Sequence, residues 1–391
     1  MVIWLNLRKR KFLFMMYPKL NALDQGLIDE AASANGVLNL AGNFSTCERN
    51  NIPETLLKEA LQNSSSQIVI PYGLPELVEQ IAQKTAWLYG HQYNPEREIT
   101  ITAGANQAFY ATIAALVNEG DEVILFEPAN EAYLPSILLN GGKPVYITLK
   151  EPDFHIDWEE VMRMINANTR MIIINTPHNP TGMVLTELDM IRLQKIITGT
   201  RILVVSDESF EHIVFDGYSH QSVALYPKLV EKSILINTFS HSCQVPGWNA
   251  GYCAAPANVM QEIRKVLNIM GNRVFIPFQQ ALASYINQKQ EYQRLGKYYQ
   301  EKRDYFAGLM ESLTRLEPCP TYGTFYQLYS FKNSGETSDR DVVQRLIQEF
   351  GVGVTPISRF FHEKSKKPLL RINFAQPKEV LTQVVERLQS F

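Results

Sequence analysis

The stretch from Asn237 to Tyr252 reads Asn-Thr-Phe-Ser-His-Ser-Cys-Gln-Val-Pro-Gly-Trp-Asn-Ala-Gly-Tyr and follows the apolar run Ser233 to Ile236. A short apolar run that ends in glycine, proline and small residues is typical of a buried strand leading into a tight loop. Gly247 and Gly251 lie in this loop. The stretch therefore predicts a strand followed by a loop that lies at the edge of a pocket.

Apolar runs rich in β-branched residues alternate with helical stretches upstream of this loop. Such runs, when helices separate them, favour a mostly parallel sheet that is covered on both faces. We therefore predict an α/β fold, with ligands bound beyond the carboxyl ends of the strands. The predicted strands are Ile99 to Thr102, Glu122 to Phe126, Pro144 to Leu149, Met171 to Asn175, Ile202 to Ser206 and Ser233 to Asn237.

The rest of the chain predicts a second, smaller unit. Helical sequence runs from Gln261 to Ile286, and a long charged amphipathic helix is predicted from Gln290 to Thr314. Strand and helix patterns then alternate to the end of the chain. The long helix is suited to linking a large domain to a smaller α/β domain.

Composition favours a small-molecule partner over nucleic acid or a membrane. Of the 391 residues 45% are hydrophobic, and the formal charge of -3 gives no general attraction to nucleic acid or acidic lipid. No apolar run approaches the roughly 18 residues of a spanning helix. The four cysteines show no metal-binding spacing, which fits free thiols and a cytoplasmic location; they are Cys47, Cys243, Cys253 and Cys319.

Residues 1–16 place an apolar stretch before a basic run, the reverse of the order in a signal peptide. We interpret them as a disordered leader. The alternative is a weak membrane-surface arm, in which basic residues flank Phe12, Leu13 and Phe14.

Two further motifs support a specific resemblance. Asn179-Pro180-Thr181-Gly182 follows a predicted strand, and Asp207 follows another 28 positions later. With the loop quoted above, these motifs resemble those of the class I/II aminotransferases, which use pyridoxal phosphate and have fold type I. The resemblance runs from about Tyr17 to Phe391 and is strongest to the kynurenine and methionine aminotransferase branch.

This resemblance implies a domain plan and a class of partner. It implies an N-terminal arm at 17–45 that belongs to the small domain, a large domain at 46–288 with a seven-stranded sheet, and a small domain at 289–391. It also implies a homodimer that acts on an amino or keto acid.

The resemblance assigns cofactor contacts to several residues. Asn179 would donate to the O3' oxygen of the pyridine ring, and Asp207 would keep the ring nitrogen protonated. Ala105 and Asn106 open a helix, whose N-terminal N–H groups suit a phosphate. Thr238 and Ser240 occupy motif positions beside the phosphate. The alternative for Asp207 is a helix N-cap.

Arg371, in Leu-Leu-Arg-Ile-Asn-Phe-Ala, matches the arginine that binds the substrate carboxylate in a bidentate pair. A surface salt bridge is the alternative. If the match holds, the pocket keeps the shape for an amino or keto acid.

The chain also departs from the family pattern around the cofactor. The family has glycine, tyrosine, a ring-stacking aromatic residue, tyrosine, lysine and arginine where this chain has Asn43, Ile68, Asn130, Phe210, His241 and Asn249. Phe210 has no hydroxyl for O3', and Asn249 offers only neutral donors to a phosphate. Local departures at a site are where a change of function is expected.

His241 leaves the function open. The family's lysine binds the cofactor covalently and moves protons, whereas imidazole forms no stable bond of that kind but still transfers protons. One interpretation is a binding or regulatory protein that does not transaminate by the lysine mechanism. Another is an enzyme in which His241 is the acid/base on noncovalently held pyridoxal phosphate or pyridoxamine phosphate. The third is an inert His241 that fills the volume of the lysine.

Overall fold

The computed structural model describes residues 36–46, 52, 54–63, 71–271, 273–288, 290–331, 338–363 and 368–391. The predicted leader, the arm before residue 36 and Ile68 lie outside these ranges. The strands in chain order are β1 (Leu38–Asn39), β2 (Ile99–Thr102), β3 (Glu122–Glu127), β4 (Lys143–Thr148), β5 (Thr169–Asn175), β6 (Leu203–Asp207), β7 (Ser233–Thr238), β8 (Gly251–Ala254), β9 (Leu316–Pro318), β10 (Tyr326–Phe331), β11 (Val352–Gly353), β12 (Thr355–Pro356) and β13 (Leu369–Asn373).

A seven-stranded sheet forms the centre of the large unit. Its strand order is β2-β8-β7-β6-β5-β3-β4, and the pairs from β7 to β4 are parallel. Strand β8 runs antiparallel to both β2 and β7. The predicted α/β fold with a mostly parallel sheet is therefore confirmed. Strand β8 was not predicted, because Gly-Tyr-Cys-Ala contains no β-branched residue.

Both faces of this sheet are buried. Side chains alternate between faces along a strand. Ile124 and Ile172 belong to one hydrophobic cluster, whereas Val123 and Ile173 belong to the cluster on the other face. Near-continuous apolar strands of this kind are expected only where helices cover the sheet on both sides.

Fifteen α-helices are found among the described residues. Capping residues define where several of these helices begin. For example, Thr186 and Asp189 form a capping box at the start of the helix from Glu187. The helices are α1 (Glu54–Asn63), α2 (Pro75–Tyr89), α3 (Pro95–Glu98), α4 (Gly104–Leu116), α5 (Tyr133–Leu139), α6 (Trp158–Met164), α7 (Glu187–Ile197), α8 (Pro227–Val230), α9 (Phe239–Ser242), α10 (Ala257–Met270), α11 (Ile276–Ile286), α12 (Gln290–Gln293), α13 (Leu295–Met310), α14 (Asp339–Phe350) and α15 (Lys378–Leu388).

Two helix predictions need correction. The stretch predicted as helical from Gln261 to Ile286 is divided between α10 and α11, because Gly271 adopts a left-handed φ of +66° that ends α10. The long helix predicted from Gln290 is divided into α12 and α13.

A smaller sheet lies in the C-terminal part of the chain. Its strand order is β12-β13-β10-β9, with antiparallel pairing throughout. Strand β1 pairs in parallel with β11, so the N-terminal segment reaches the C-terminal part of the chain. The domain boundaries themselves stay a prediction. In the parts of the chain that the structure describes, no helix is long and apolar enough to cross a membrane.

Candidate active site

Asp207 is the last residue of β6 and is buried at the carboxyl end of the sheet. The Tyr133 hydroxyl donates to Asp207 Oδ2 at 2.6 Å, and the Ser209 hydroxyl and backbone N–H donate to Oδ1 at 2.5 and 3.1 Å. The residue caps a turn, and no described helix begins at it, so the helix N-cap alternative is wrong. Burial raises the pKa of the Asp207 carboxyl, and these hydrogen bonds offset only part of that rise.

No cation neutralises this carboxylate within the described residues. Nitrogens of lysine, arginine and histidine there all lie more than 4.0 Å from its oxygens. A buried carboxylate without a counter-charge is costly. Its environment therefore suits a ligand that brings a positively charged N–H.

Asn179 lies on the neighbouring loop after β5. Its backbone N–H donates to Asn175 Oδ1 at 2.8 Å, and Asn175 Nδ2 donates to the Asp207 carbonyl at 2.8 Å. This chain of bonds fixes the loop to the end of β6. The Asn179 oxygen accepts from Arg371 Nη1 at 2.9 Å, which turns the amide so that Nδ2 serves as the donor to a ligand.

His241 lies in α9, directly after β7. Its ring stacks on Phe210 with ring centroids 4.2 Å apart at 15°, and it meets Phe325 edge-on at 5.3 Å. The residue as a whole is half-buried, and desolvation by the surrounding rings lowers the pKa of His241 to about 3. The Nδ1 atom is buried and has no hydrogen-bond partner in the described part of the chain. The imidazole is therefore neutral at pH 7 and packed as an aromatic ring.

The N-terminus of α4 lies beside β8. A Cβ on Gly251 would come within 2.6 Å of the Asn237 carbonyl and 3.0 Å of the Ala105 nitrogen, so only glycine lets strand and helix approach this closely. Ala105 is partly buried and Asn106 is exposed. Their position at the start of a 13-residue helix gives these N–H groups the positive end of the helix dipole.

The remaining residues predicted to face the phosphate have different environments. The Thr238 hydroxyl donates to the Ala250 carbonyl at 3.2 Å and accepts from the Ser240 N–H at 3.2 Å, so it serves the backbone as the N-cap of α9. Ser240 is partly buried. Asn249 is exposed and adopts a left-handed φ of +44°, which asparagine tolerates better than most residues.

Arg371 on β13 is buried, only 2% exposed, which excludes the predicted alternative of a surface salt bridge. Its guanidinium lies over the ring of Tyr326 at 4.2 Å and donates to Asn43 Oδ1 at 2.8 Å. Burial lowers the pKa of Arg371 from its ordinary value. The structure thus brings Asn43, Asn179 and Arg371 into one cluster.

Asn130 and Tyr72 have structural contacts of their own. Asn130 Oδ1 accepts from the Ala132 N–H at 3.1 Å, which shapes the turn before α5. The ring of Tyr72 packs under the Arg264 guanidinium at 4.1 Å and lines a surface cavity of about 550 Å³. None of the predicted site residues lines that cavity.

Sequence reasoning missed two features of the site. Tyr133 donates a hydrogen bond to Asp207. The one feature of the sequence that could have indicated this role is the position of a tyrosine soon after the end of a strand. Lys84 and Glu211 form a buried ion pair directly behind Phe210. The helical pattern of α2 gave no sign that its lysine faces inward.

The fold and the buried carboxylate at the end of β6 define an α/β protein of the fold type I class. The chain belongs to the class I and II aminotransferase family, whose family model matches residues 35–388. A methionine aminotransferase of Escherichia coli (strain K12) is 36% identical over 359 residues, which cover 92% of this chain and 93% of the relative. Kynurenine-oxoglutarate transaminase 1 of Rattus norvegicus is 26% identical over 418 residues, covering 95% and 97%.

Solved structures agree with these sequence matches. A crystal structure of the Escherichia coli methionine aminotransferase YbdL has a TM-score of 0.90 at 35% identity and covers 95% of this chain and 98% of its own. An N-succinyldiaminopimelate aminotransferase from Mycobacterium tuberculosis has the same TM-score at 26% identity, with coverage of 95% and 98%. The predicted family and fold are confirmed. The correspondence of His241 to the family's lysine rests on the loop motif and stays a prediction, as do the homodimer and the cytoplasmic location.

The family's cofactor, pyridoxal phosphate, fits part of this site. The buried Asp207 carboxylate, which has no counter-charge among the described residues, suits a pyridinium N–H. The Asn179 amide offers a donor to the ring oxygen. A covalent anchor fits less well, because residue 241 is an imidazole and the amine of Lys84 bonds to Glu211 and Tyr252.

Proposed function

We propose that this chain holds pyridoxal phosphate or pyridoxamine phosphate noncovalently, beside a pocket for an amino or keto acid, and does not transaminate by the family's lysine mechanism. The cofactor, when bound, supplies a ring that withdraws electrons from the substrate. Asp207 would hold the ring nitrogen protonated, and Asn179 would donate to the ring oxygen. Ala105, Asn106 and Ser240 would bind the phosphate.

The stacked pair of His241 and Phe210 carries this proposal. Both residues lie at positions where we predict a departure from the family motif, and their rings lie 4.2 Å apart. An imidazole forms no stable covalent bond to the cofactor aldehyde, and a phenyl ring donates no hydrogen bond to the ring oxygen. The covalent bond to the cofactor and the hydrogen bond to its ring oxygen are thus both lost at neighbouring positions, and a stacking contact between two aromatic rings takes their place.

The test is retention of the cofactor without a covalent bond. Purified full-length protein would be mixed with pyridoxal phosphate or pyridoxamine phosphate, desalted, and scanned across the near-ultraviolet and visible range. We expect a retained band that dialysis removes, and an unchanged chain mass after borohydride reduction. Absence of any retained band would refute cofactor binding, and a mass increase would refute the noncovalent mode.

Two variants make the retention test specific. Asp207→Ala removes the partner of the ring nitrogen and should strongly reduce the retained band. Asp153→Ala changes a carboxylate whose side chain is 51% exposed, and should leave the band unchanged. Equal retention by both variants would contradict the role of Asp207.

The second candidate function is acid/base catalysis by His241. The unpartnered Nδ1 atom favours it, because this nitrogen is free to exchange a proton with a ligand. The pKa of about 3 argues against it, because a general base works best with a pKa near the working pH. Exchange of the α-proton of L-methionine in heavy water, measured for wild type and His241→Ala, distinguishes catalysis from binding alone. Exchange that is lost in the variant favours catalysis. Exchange that is absent from both proteins favours binding alone.

A further inference from the structure

The guanidinium of Arg371 is a buried cation with no anion in direct contact among the described residues. Among the described residues, no carboxylate oxygen lies within 4.0 Å of it. Its recorded partners are neutral oxygens on Ala41, Asn43, Thr355 and Asn179. A cation held this way is a site for an anionic ligand group, because the bonds of a carboxylate to arginine are stronger than those of neutral acceptors.

The protons of this guanidinium are mostly engaged already. Nη2 carries two N–H groups, and they donate to the Ala41 carbonyl at 3.1 Å and to Asn43 Oδ1 at 2.8 Å. Nη1 donates one N–H to Asn179 Oδ1 at 2.9 Å and keeps the other. A carboxylate that bridges Nη1 and Nη2 needs one proton from each. Of the three acceptors on Nη2 the Thr355 hydroxyl is the most distant, at 3.4 Å, so the ligand must displace Ala41 or Asn43.

Asn43 is the acceptor that is easier to displace. Ala41 is 3% exposed and its acceptor is a backbone carbonyl, so its release would move buried main chain. Asn43 is exposed, and the Tyr326 hydroxyl donates to its backbone carbonyl at 3.0 Å. The main chain of Asn43 is thus held in place while its side chain is free to rotate towards solvent.

We propose that Asn43 is a specificity-determining residue whose amide oxygen occupies the place of one ligand carboxylate oxygen on Arg371. This inference rests on the proposed function, in which the pocket takes an amino or keto acid. Each such ligand must compete with Asn43 before it gains the paired contact. The cost is the same for every carboxylate, so Asn43 weakens the binding of carboxylates relative to ligands that lack one.

Binding calorimetry on three proteins tests the competition, with L-methionine and pyruvate as carboxylate probes. Asn43→Ala removes the competing oxygen and should tighten binding of both probes about tenfold, the factor that one hydrogen bond to a charged group is worth. Asn43→Asp places a charged competitor on Arg371 and should weaken binding by at least the same factor. L-methioninamide, which has no carboxylate, should show no such dependence on residue 43.

The matched control is Asn268→Ala, the same change at an exposed asparagine on α10, which should leave all affinities unchanged. Equal carboxylate affinities for wild type and Asn43→Ala, or no binding by Asn43→Ala, would overturn the inference. Titrations with and without retained pyridoxal phosphate separate the two proposals. Tighter binding in Asn43→Ala without any cofactor retention would keep the role of Asn43 and refute the cofactor proposal.

Discussion

The imidazole of His241 shows how apolar neighbours set the chemistry of a half-buried residue. Three phenylalanine rings surround it, with centroids at 4.2 Å (Phe210), 5.3 Å (Phe325) and 6.0 Å (Phe44). Desolvation lowers the pKa of His241 to about 3 because no nearby carboxylate stabilises the charged form. The ring is therefore a neutral aromatic group over the whole physiological range.

A pH dependence of stability follows from this pKa. Above an ordinary imidazole pKa of about 6.5, the folded and unfolded states both hold His241 neutral and its contribution does not change. Below that value His241 binds a proton in the unfolded state but not in the folded state. The free energy of unfolding therefore falls as the pH is lowered to the folded pKa of about 3. We expect His241→Phe to lose up to one proton's worth of this slope in urea unfolding from about pH 4 to about pH 6.

A lysine at position 241 tests the same surroundings with a side chain that is charged at neutral pH. His241→Lys puts an amine into the same apolar surroundings, so it should be less stable than His241→Phe at neutral pH. Identical pH slopes for wild type and His241→Phe would show that the imidazole is solvated in the folded protein.

At the scale of elements, a buried ion pair fixes helix α2 to the central sheet. The Lys84 ammonium bonds to Glu211 and to the Tyr252 hydroxyl, and both charged side chains are nearly inaccessible. Tyr89 and Asn237 also donate to the Glu211 carboxylate, at 2.6 and 2.7 Å. Burial would raise the pKa of Glu211, but the Lys84 charge brings it down to about 2. Because Glu211 follows Phe210 in the chain, this network also holds the backbone beneath the stacked rings.

Lys84→Met should strongly destabilise the protein, because it leaves the Glu211 charge buried without its cation. The expected loss is about 3 to 5 kcal/mol in the free energy of unfolding, measured by denaturant titration. The control is Lys265→Met, which breaks an exposed pair with Glu262 and should cost less than about 1 kcal/mol. Similar losses in the two variants would mean that water reaches the Lys84 pair.

At the scale of the whole molecule, one turn of the C-terminal part joins the carboxyl end of β3. Arg359 pairs with Glu131 at 2.5 Å, and the Phe360 carbonyl accepts from the Ala129 N–H at 2.8 Å. Phe360 also lies against the Arg371 guanidinium at 4.9 Å. The arginine that would bind the ligand is therefore positioned by contacts to the central sheet.

The homodimer expected from the family is a prediction at this scale. Ile269, at the end of α10, is 86% exposed in the single chain, and Met270 and Phe275 close by in the sequence are 39% and 56% exposed, so this apolar segment is a candidate contact. We expect sedimentation to give the mass of two chains. Ile269→Asp should shift the mass towards one chain, whereas Leu188→Asp, at a residue that is 54% exposed on α7, should not. A wild-type mass of one chain would refute the dimer.

Local amino-acid pattern was enough to predict the layout of the fold. Strands β5 and β6 and the loop after β7 could be predicted because a buried strand is a short apolar run, whichever strand lies next to it. It also located Asn179, Asp207 and Arg371, since each belongs to a local motif. Strand β8 could not be predicted, because its pairing with β2 and β7 holds together a four-residue segment that has no β-branched residue and includes glycine and alanine, which are depleted in strands.

The partners of the site residues could be identified only in the folded chain. Asn43 meets Arg371 across 328 positions, Lys84 meets Glu211 across 127, and Tyr133 meets Asp207 across 74. Sequence periodicity reports which face of an element is buried, but it contains no information on which distant face lies opposite. The neutral state of His241, the unpaired charge of Arg371 and the competition from Asn43 all follow from those distant neighbours, because burial and hydrogen-bond partners set the energy of a polar group.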